Sequence, residues 1–198
     1  MPYKPSMFDA IIPILDLYTE KYGHANGYEP HLAAEVKVRL AELQFIVDRV
    51  HVVETDGEVN AIQSSIKAAQ ESPAKAFEVF GNLIGAMSTE AKVLSEAFYN
   101  SAWRIRQLVR YYAKPLPGVS FECIGVRDVR NQLIEHPEKG DKIFIQSFAT
   151  GGPNGPVLKV YRPTGTATTF QDMGLYVNAE EFADSLSQAL GSALAKKP

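Results

Sequence analysis

Between Pro30 and Val52, the apolar residues Leu32, Val36, Leu40, Leu43, Val47 and Val50 recur at steps of three and four. That spacing lays one apolar stripe along a helix and leaves charged residues opposite it. The run predicts a helix roughly 30 Å long. A helix of that kind takes most of its stability from packing its stripe against neighbours. The segments around it repeat the theme.

Residues 7–22 read as a first helix through Ile11, Ile12, Leu15 and Tyr18, with Pro13 as a kink or a late start. Gly23 to Gly27 is a turn. Glu54-Thr55-Asp56-Gly57 predicts a break, followed by a short helix from Glu58 to Gln70. Ser72-Pro73 is a cap with proline in the first turn of a helix that runs to Met87 with Phe77, Phe80 and Ile84. Ser88-Thr89 reads as the cap of a long helix to about Ala113, and Pro115-Leu116-Pro117-Gly118 as its stop. A further helix is expected from about Ser120 to Glu135.

After Gly140 the period changes to two. Residues 142–148 and 156–162 read as strands joined by Gly151-Gly152-Pro153-Asn154-Gly155, a β-hairpin. A hairpin alone is marginal, so it needs the helices or a third strand, for which Gly174-Leu175-Tyr176-Val177 is the candidate. Asn178-Ala179-Glu180-Glu181 resembles a capping box opening a last helix with Phe182, Leu186, Leu190 and Leu194. The expected fold class is therefore mainly α. A helical bundle over residues 1–138 carries a C-terminal appendage, residues 139–198, of a small β-hairpin and a final helix packed on it.

Charge excludes little. The net charge is −3, so no global basic field advertises nucleic acid. Residues 101–142 nonetheless hold eight Lys/Arg against five Asp/Glu, a local +3. A single cysteine, Cys123, forbids an internal disulfide and suits a reducing compartment, where it reads as a small buried hydrophobe. No basic stretch followed by an apolar run opens the chain, and no apolar run approaches the ~20 residues of a membrane span. The expected localisation is cytoplasmic, away from any membrane.

The chemistry concentrates in Val126-Arg127-Asp128-Val129-Arg130-Asn131-Gln132-Leu133-Ile134-Glu135-His136-Pro137. Pro137 disfavours the α conformation at His136, which sets the imidazole at a helix end. On a helical wheel Val126, Val129 and Leu133 share a stripe. Arg130 and His136 flank it about 60° to either side, while Asp128, Asn131 and Glu135 point away from it, towards solvent or a neighbour. A guanidinium can clamp a phosphodiester in a bidentate way and neutralise charge in a transition state. An imidazole beside it can move a proton near neutral pH. RNA supplies its own nucleophile, the 2′-hydroxyl, so cleavage needs neither cofactor nor metal.

Arg130-Asn131-x4-His136 near the end of a helical domain resembles the signature of HEPN domains (higher eukaryotes and prokaryotes nucleotide-binding). The resemblance implies a helical bundle that forms a homodimer. Paired motifs would build a composite, metal-independent ribonuclease site, in a toxin or defence setting with a cognate antitoxin or regulatory protein. It implies Arg130 and His136 as the catalytic pair and Asn131 as the supporting polar residue that orients them or contacts the phosphate. Inactive members bind nucleotides or proteins instead, which keeps a non-catalytic module open as an alternative. Arg127 is a solvated neighbour or a grip on substrate phosphate.

The other candidates are weaker. Arg106 and Arg110 share a face, with Arg104 nearby, and read as a solvated strip or an RNA-facing one with Trp103, Tyr111 and Tyr112 as stacking platforms. His24, His31 and His51 lack metal-ligand spacing with any acidic or thiol partner, so no metal site is expected.

Overall fold

The computed structural model describes residues 4–24, 30–109, 119–131, 144–147, 158–163, 170–172 and 175–196. It is mainly helical. A 3-10 turn at Asp9–Ile11 leads into α1 (Ile12–Tyr22), with Pro13 in the first turn where its missing N–H costs nothing. Helices α2 (Pro30–Ala69), α3 (Pro73–Gln107), α4 (Ile124–Arg130) and α5 (Leu175–Ala195) follow.

Helices α2 and α3 form an antiparallel hairpin. Ser101 donates to Glu42 at 3.1 Å, Arg49 pairs with Glu90 at 2.7 Å, and Gly57 abuts Met87, which fixes the register along the pair. The turn between them ends at Ser72. Its side chain accepts from the Lys75 N–H at 3.2 Å, and Pro73 begins the next helix, as the Ser-Pro pair predicts.

Two expected breaks are absent. Glu54 to Gly57 lies inside α2, and Ser88-Thr89 lies inside α3. A threonine hydroxyl at each place bonds backwards along the helix instead: Thr55 donates to the His51 carbonyl at 2.8 Å, and Thr89, expected in a cap, to the Gly85 carbonyl at 3.0 Å. Gly57 is spent on packing, because a Cβ there would stand 2.6 Å from Met87 Sδ. Four expected helices are thus two, about 60 and 50 Å long.

The core gathers at one end of this hairpin. Leu32, Val36, Leu40, Leu43, Val47 and Val50 are all buried, as their spacing predicts. They meet Phe98, Tyr99, Ala102 and Ile105 of α3, Leu15 and Tyr18 of α1, and Phe182, Leu186 and Leu190 of α5. Phe8 joins three elements, its ring near Phe98 and Phe182 at 6.3 and 6.4 Å, while its N–H donates to the buried amide of Gln44 at 3.0 Å. Tyr22 donates to the Ala193 carbonyl at 2.8 Å, tying α1 to the end of α5. Beyond Glu54 the hairpin buries only Ala61 and Ala68 of α2 and, among the described side chains of α3 before Ala91, only Met87.

The last helix starts earlier than its sequence signal. Leu175 to Val177, expected as a strand, is the first turn of α5, and Asn178 lies within the helix. Asn178 is buried, with its amide facing the Tyr99 hydroxyl, so it serves a tertiary contact rather than a cap. Short strands β1 (Phe144–Ser147), β2 (Leu158–Pro163) and β3 (Phe170–Asp172) pair antiparallel in that order, Phe144 opposite Tyr161 and Tyr161 opposite Asp172. The expected turn at 151–155 and the division at 138/139 lie outside the described residues.

Candidate functional site

Helix α4 presents the Arg-Asn part of the motif. Phe121 and Cys123 are buried on an extended lead-in, Cys123 being the N-cap at φ −121° and ψ 97°. Val126 and Val129 are then buried one helical turn apart, as the wheel predicts. They seat α4 against the C-terminal half of α3 and fix where Arg127, Arg130 and Asn131 emerge. Asn131 follows as the C-cap, its N–H bonded to the carbonyls of Arg127 and Asp128.

Arg130 is half-buried, its guanidinium 4.9 Å from the centre of the Trp103 ring. Arg106 lies over the same ring at 4.6 Å. The two guanidiniums are therefore within about 10 Å of each other, each with a cation–π attraction of about 1 kcal/mol. Arg106 corrects the sequence reading: it is not on a solvated strip but buried, and it pairs with Glu122 at 2.9 Å. Trp103, half-buried beside both arginines, has its ring facing cations.

Arg127 is engaged rather than open. Its guanidinium pairs with Asp128 at 3.2 Å, the neighbour expected to face away from the apolar stripe. The Asn131 side chain has its amide oxygen buried, with no hydrogen-bond partner among the described residues. An acceptor so placed costs about 1–3 kcal/mol until a donor reaches it. His136, Arg110, Tyr111 and Tyr112 lie outside the described residues. The sequence thus identified Arg130 and Asn131 as neighbours, but inside a helix expected from about Ser120 to Glu135; the helix instead begins at Ile124, and the expected end lies outside the described residues. The sequence missed the Arg106–Glu122 pair, whose members are sixteen residues apart on two elements.

Cys123 is buried, and that burial pushes its thiol up to about 11. It is a core group, not a nucleophile. Among the described residues no cluster of three or more His, Cys, Asp or Glu could hold a metal ion. No helix among them is long and apolar enough to cross a membrane. One groove of about 330 Å³ runs between Ser120, Glu122, Ser185, Gln188 and Lys196, beside Arg106's partner but not lined by Arg130.

Compared with protein-family models, curated proteins and solved structures, the chain matches none.

Proposed function

We propose that this chain is a HEPN-like, metal-independent RNA endonuclease whose composite site forms where two copies bring their Arg130-Asn131-x4-His136 motifs together. The observation that carries the reading is the buried amide oxygen of Asn131, next to Arg130 at the end of α4, which no donor reaches among the described residues. Positions five apart lie about 140° around one helix, so the donor that would reach it in a composite site is an imidazole N–H of the second copy's His136. Accepting that bond would hold the other ring nitrogen free to act as a base. His136 would take the proton of a ribose 2′-hydroxyl, whose oxygen attacks the adjacent phosphorus. Arg130, steadied on Trp103, would bind the phosphate oxygens as charge builds. The bond to the 5′-oxygen breaks, and that oxygen leaves with a proton from the second copy's histidine. The products are a 2′,3′-cyclic phosphate and a free 5′-hydroxyl. A toxin or defence role with a cognate antitoxin is the setting this chemistry suits.

A second reading, a non-catalytic nucleotide- or protein-binding module, draws on the ion pairs. Arg106 is held by Glu122 and Arg127 by Asp128, which lowers the positive field that a substrate phosphate would meet. The test incubates end-labelled RNA with purified protein in EDTA, comparing wild type with His136→Ala and Arg130→Ala. The ribonuclease reading expects cyclic-phosphate ends and a loss of about 10²–10⁴-fold in each variant. Equal cleavage in the variants overturns it. Binding of RNA or nucleotide without cleavage, lost in Arg130→Ala, supports the second reading.

A further inference from the structure

Helix α2 is apolar on two sides. One side is the buried stripe that meets α1, α3 and α5. The other carries Val38, Phe45, Val52, Val59 and Ile66, each seven residues from the last, with Ile62 set between the final two. All six are between 39 % and 68 % exposed. Scattered exposed apolar residues are ordinary, but a stripe of them is not. A strict repeat of seven drifts about 20° per heptad on a straight helix and stays in line only on a left-handed supercoil. This repeat spans four heptads, roughly 42 Å, with one of the two core positions of a coiled coil apolar throughout.

We infer that the outer face of α2 is a self-association seam, along which a second copy of this chain packs its own α2 in antiparallel orientation. Taking Val38, Phe45, Val52, Val59 and Ile66 as the first core position places Ala41, Asp48, Thr55, Ile62 and Ala69 at the second. An antiparallel pair layers one set against the other. Val38 then meets Ala69, Phe45 meets Ile62, Val52 meets Thr55, Val59 meets Asp48 and Ile66 meets Ala41 of the second copy. No layer sets two aromatic rings or two carboxylates together. A parallel pair in register would stack Asp48 on Asp48 and Phe45 on Phe45.

Charge at the rim points the same way. The antiparallel register sets Arg49 opposite Asp56 as an ion pair and the His51 imidazole opposite Glu58 as a hydrogen-bonding pair, each occurring twice about the two-fold axis. Asp56 and Glu58 make no ion pair within their own chain among the described residues, whereas Arg49 reaches Glu90 from the same rim. Self-complementary charge of this kind is what an isologous interface requires.

The axis passes between residues 53 and 54. Trp103, two residues past the Ser101 that meets Glu42, is level with about residue 40 of α2. The two Trp103–Arg130 pairs would then stand roughly 40 Å apart along the seam. This interface does not assemble a composite ribonuclease site, and it stands or falls apart from that reading.

The test combines sedimentation equilibrium with directed crosslinking of the full chain. Wild type should associate with rising concentration, and Phe45→Glu with Ile66→Glu should raise the dissociation constant about 100-fold or more, with helical circular dichroism unchanged. Arg49→Asp should weaken association and Arg49→Asp with Asp56→Arg should restore it. A mixture of Phe45→Cys and Ile62→Cys proteins should crosslink with a short bismaleimide as the mixed dimer. A monomer at about 100 μM, an assembly indifferent to the Phe45 and Ile66 substitutions, or crosslinking of Phe45→Cys to itself would each overturn the inference.

Discussion

Arg106 and Glu122 are joined at 2.9 Å, with the arginine buried and the carboxylate 42 % exposed. The pair links the end of α3 to the lead-in of α4 and so sets the distance between Trp103 and Arg130. Removing the carboxylate leaves a guanidinium in a nearly dry place. Breaking a fully buried pair costs about 3–5 kcal/mol, but water already reaches Glu122 and screens part of that. Glu122→Gln should therefore lower stability by about 1–2 kcal/mol, measured by urea unfolding followed on Trp103 fluorescence. An unchanged midpoint would show that the pair contributes nothing net.

Gly57 and Met87 make a second testable contact. Alanine at 57 gains about 1 kcal/mol of helix propensity, but its Cβ would stand 2.6 Å from Sδ and 3.1 Å from Cγ of Met87. The thioether is flexible, so it can shift at a modest cost. Gly57→Ala alone should change stability by less than about 1 kcal/mol, whereas in a Met87→Ala background it should stabilise by about 1 kcal/mol. A double-mutant cycle with no coupling would mean that the two residues do not meet.

Alkali should weaken the fold through Cys123. Its thiol titrates near the ordinary 9.0 when unfolded and about 11 when folded, because burial disfavours the thiolate. The folded chain holds that proton more tightly. The resulting stability is complete below pH 9 and is lost as pH rises through 11, about 2–3 kcal/mol in all. Burial raises the Tyr99 hydroxyl as well, adding loss in the same direction above pH 10. Unfolding curves from pH 8 to pH 11 should show a smaller slope for Cys123→Ala than for wild type. Equal slopes would remove the thiol from the account.

The inner face of α2 was legible because its signal is local. Leu32 to Val50 follow one period, and burial follows them. The long helices were not legible at Glu54-Thr55-Asp56-Gly57 or Ser88-Thr89, because those residues have two uses. A threonine caps a helix or bonds back along it, and a glycine breaks a helix or lets another approach. Which use prevails depends on a partner thirty residues away, as Met87 decides for Gly57. At the site, Arg130 and Asn131 were visible as a motif. The stacking of Arg130 on Trp103 and the burial of Arg106 were not, since nothing in the spacing of residues 103, 106, 122 and 130 announces that α4 folds back on α3. His136, the motif's third residue, lies outside the described residues.

The crowding of the core at one end of the α2–α3 hairpin gives one helix two lifetimes. Amides from about Val36 to Val50 are shut beneath three other helices, and their hydrogens should exchange with solvent only when the whole domain unfolds. Amides from about Asn60 to Ala69 are guarded by little more than two alanines, Ala61 and Ala68, and should exchange through local opening of the tip. A single unbroken helix would thus read, in deuterium, as a slow segment continuous with a fast one.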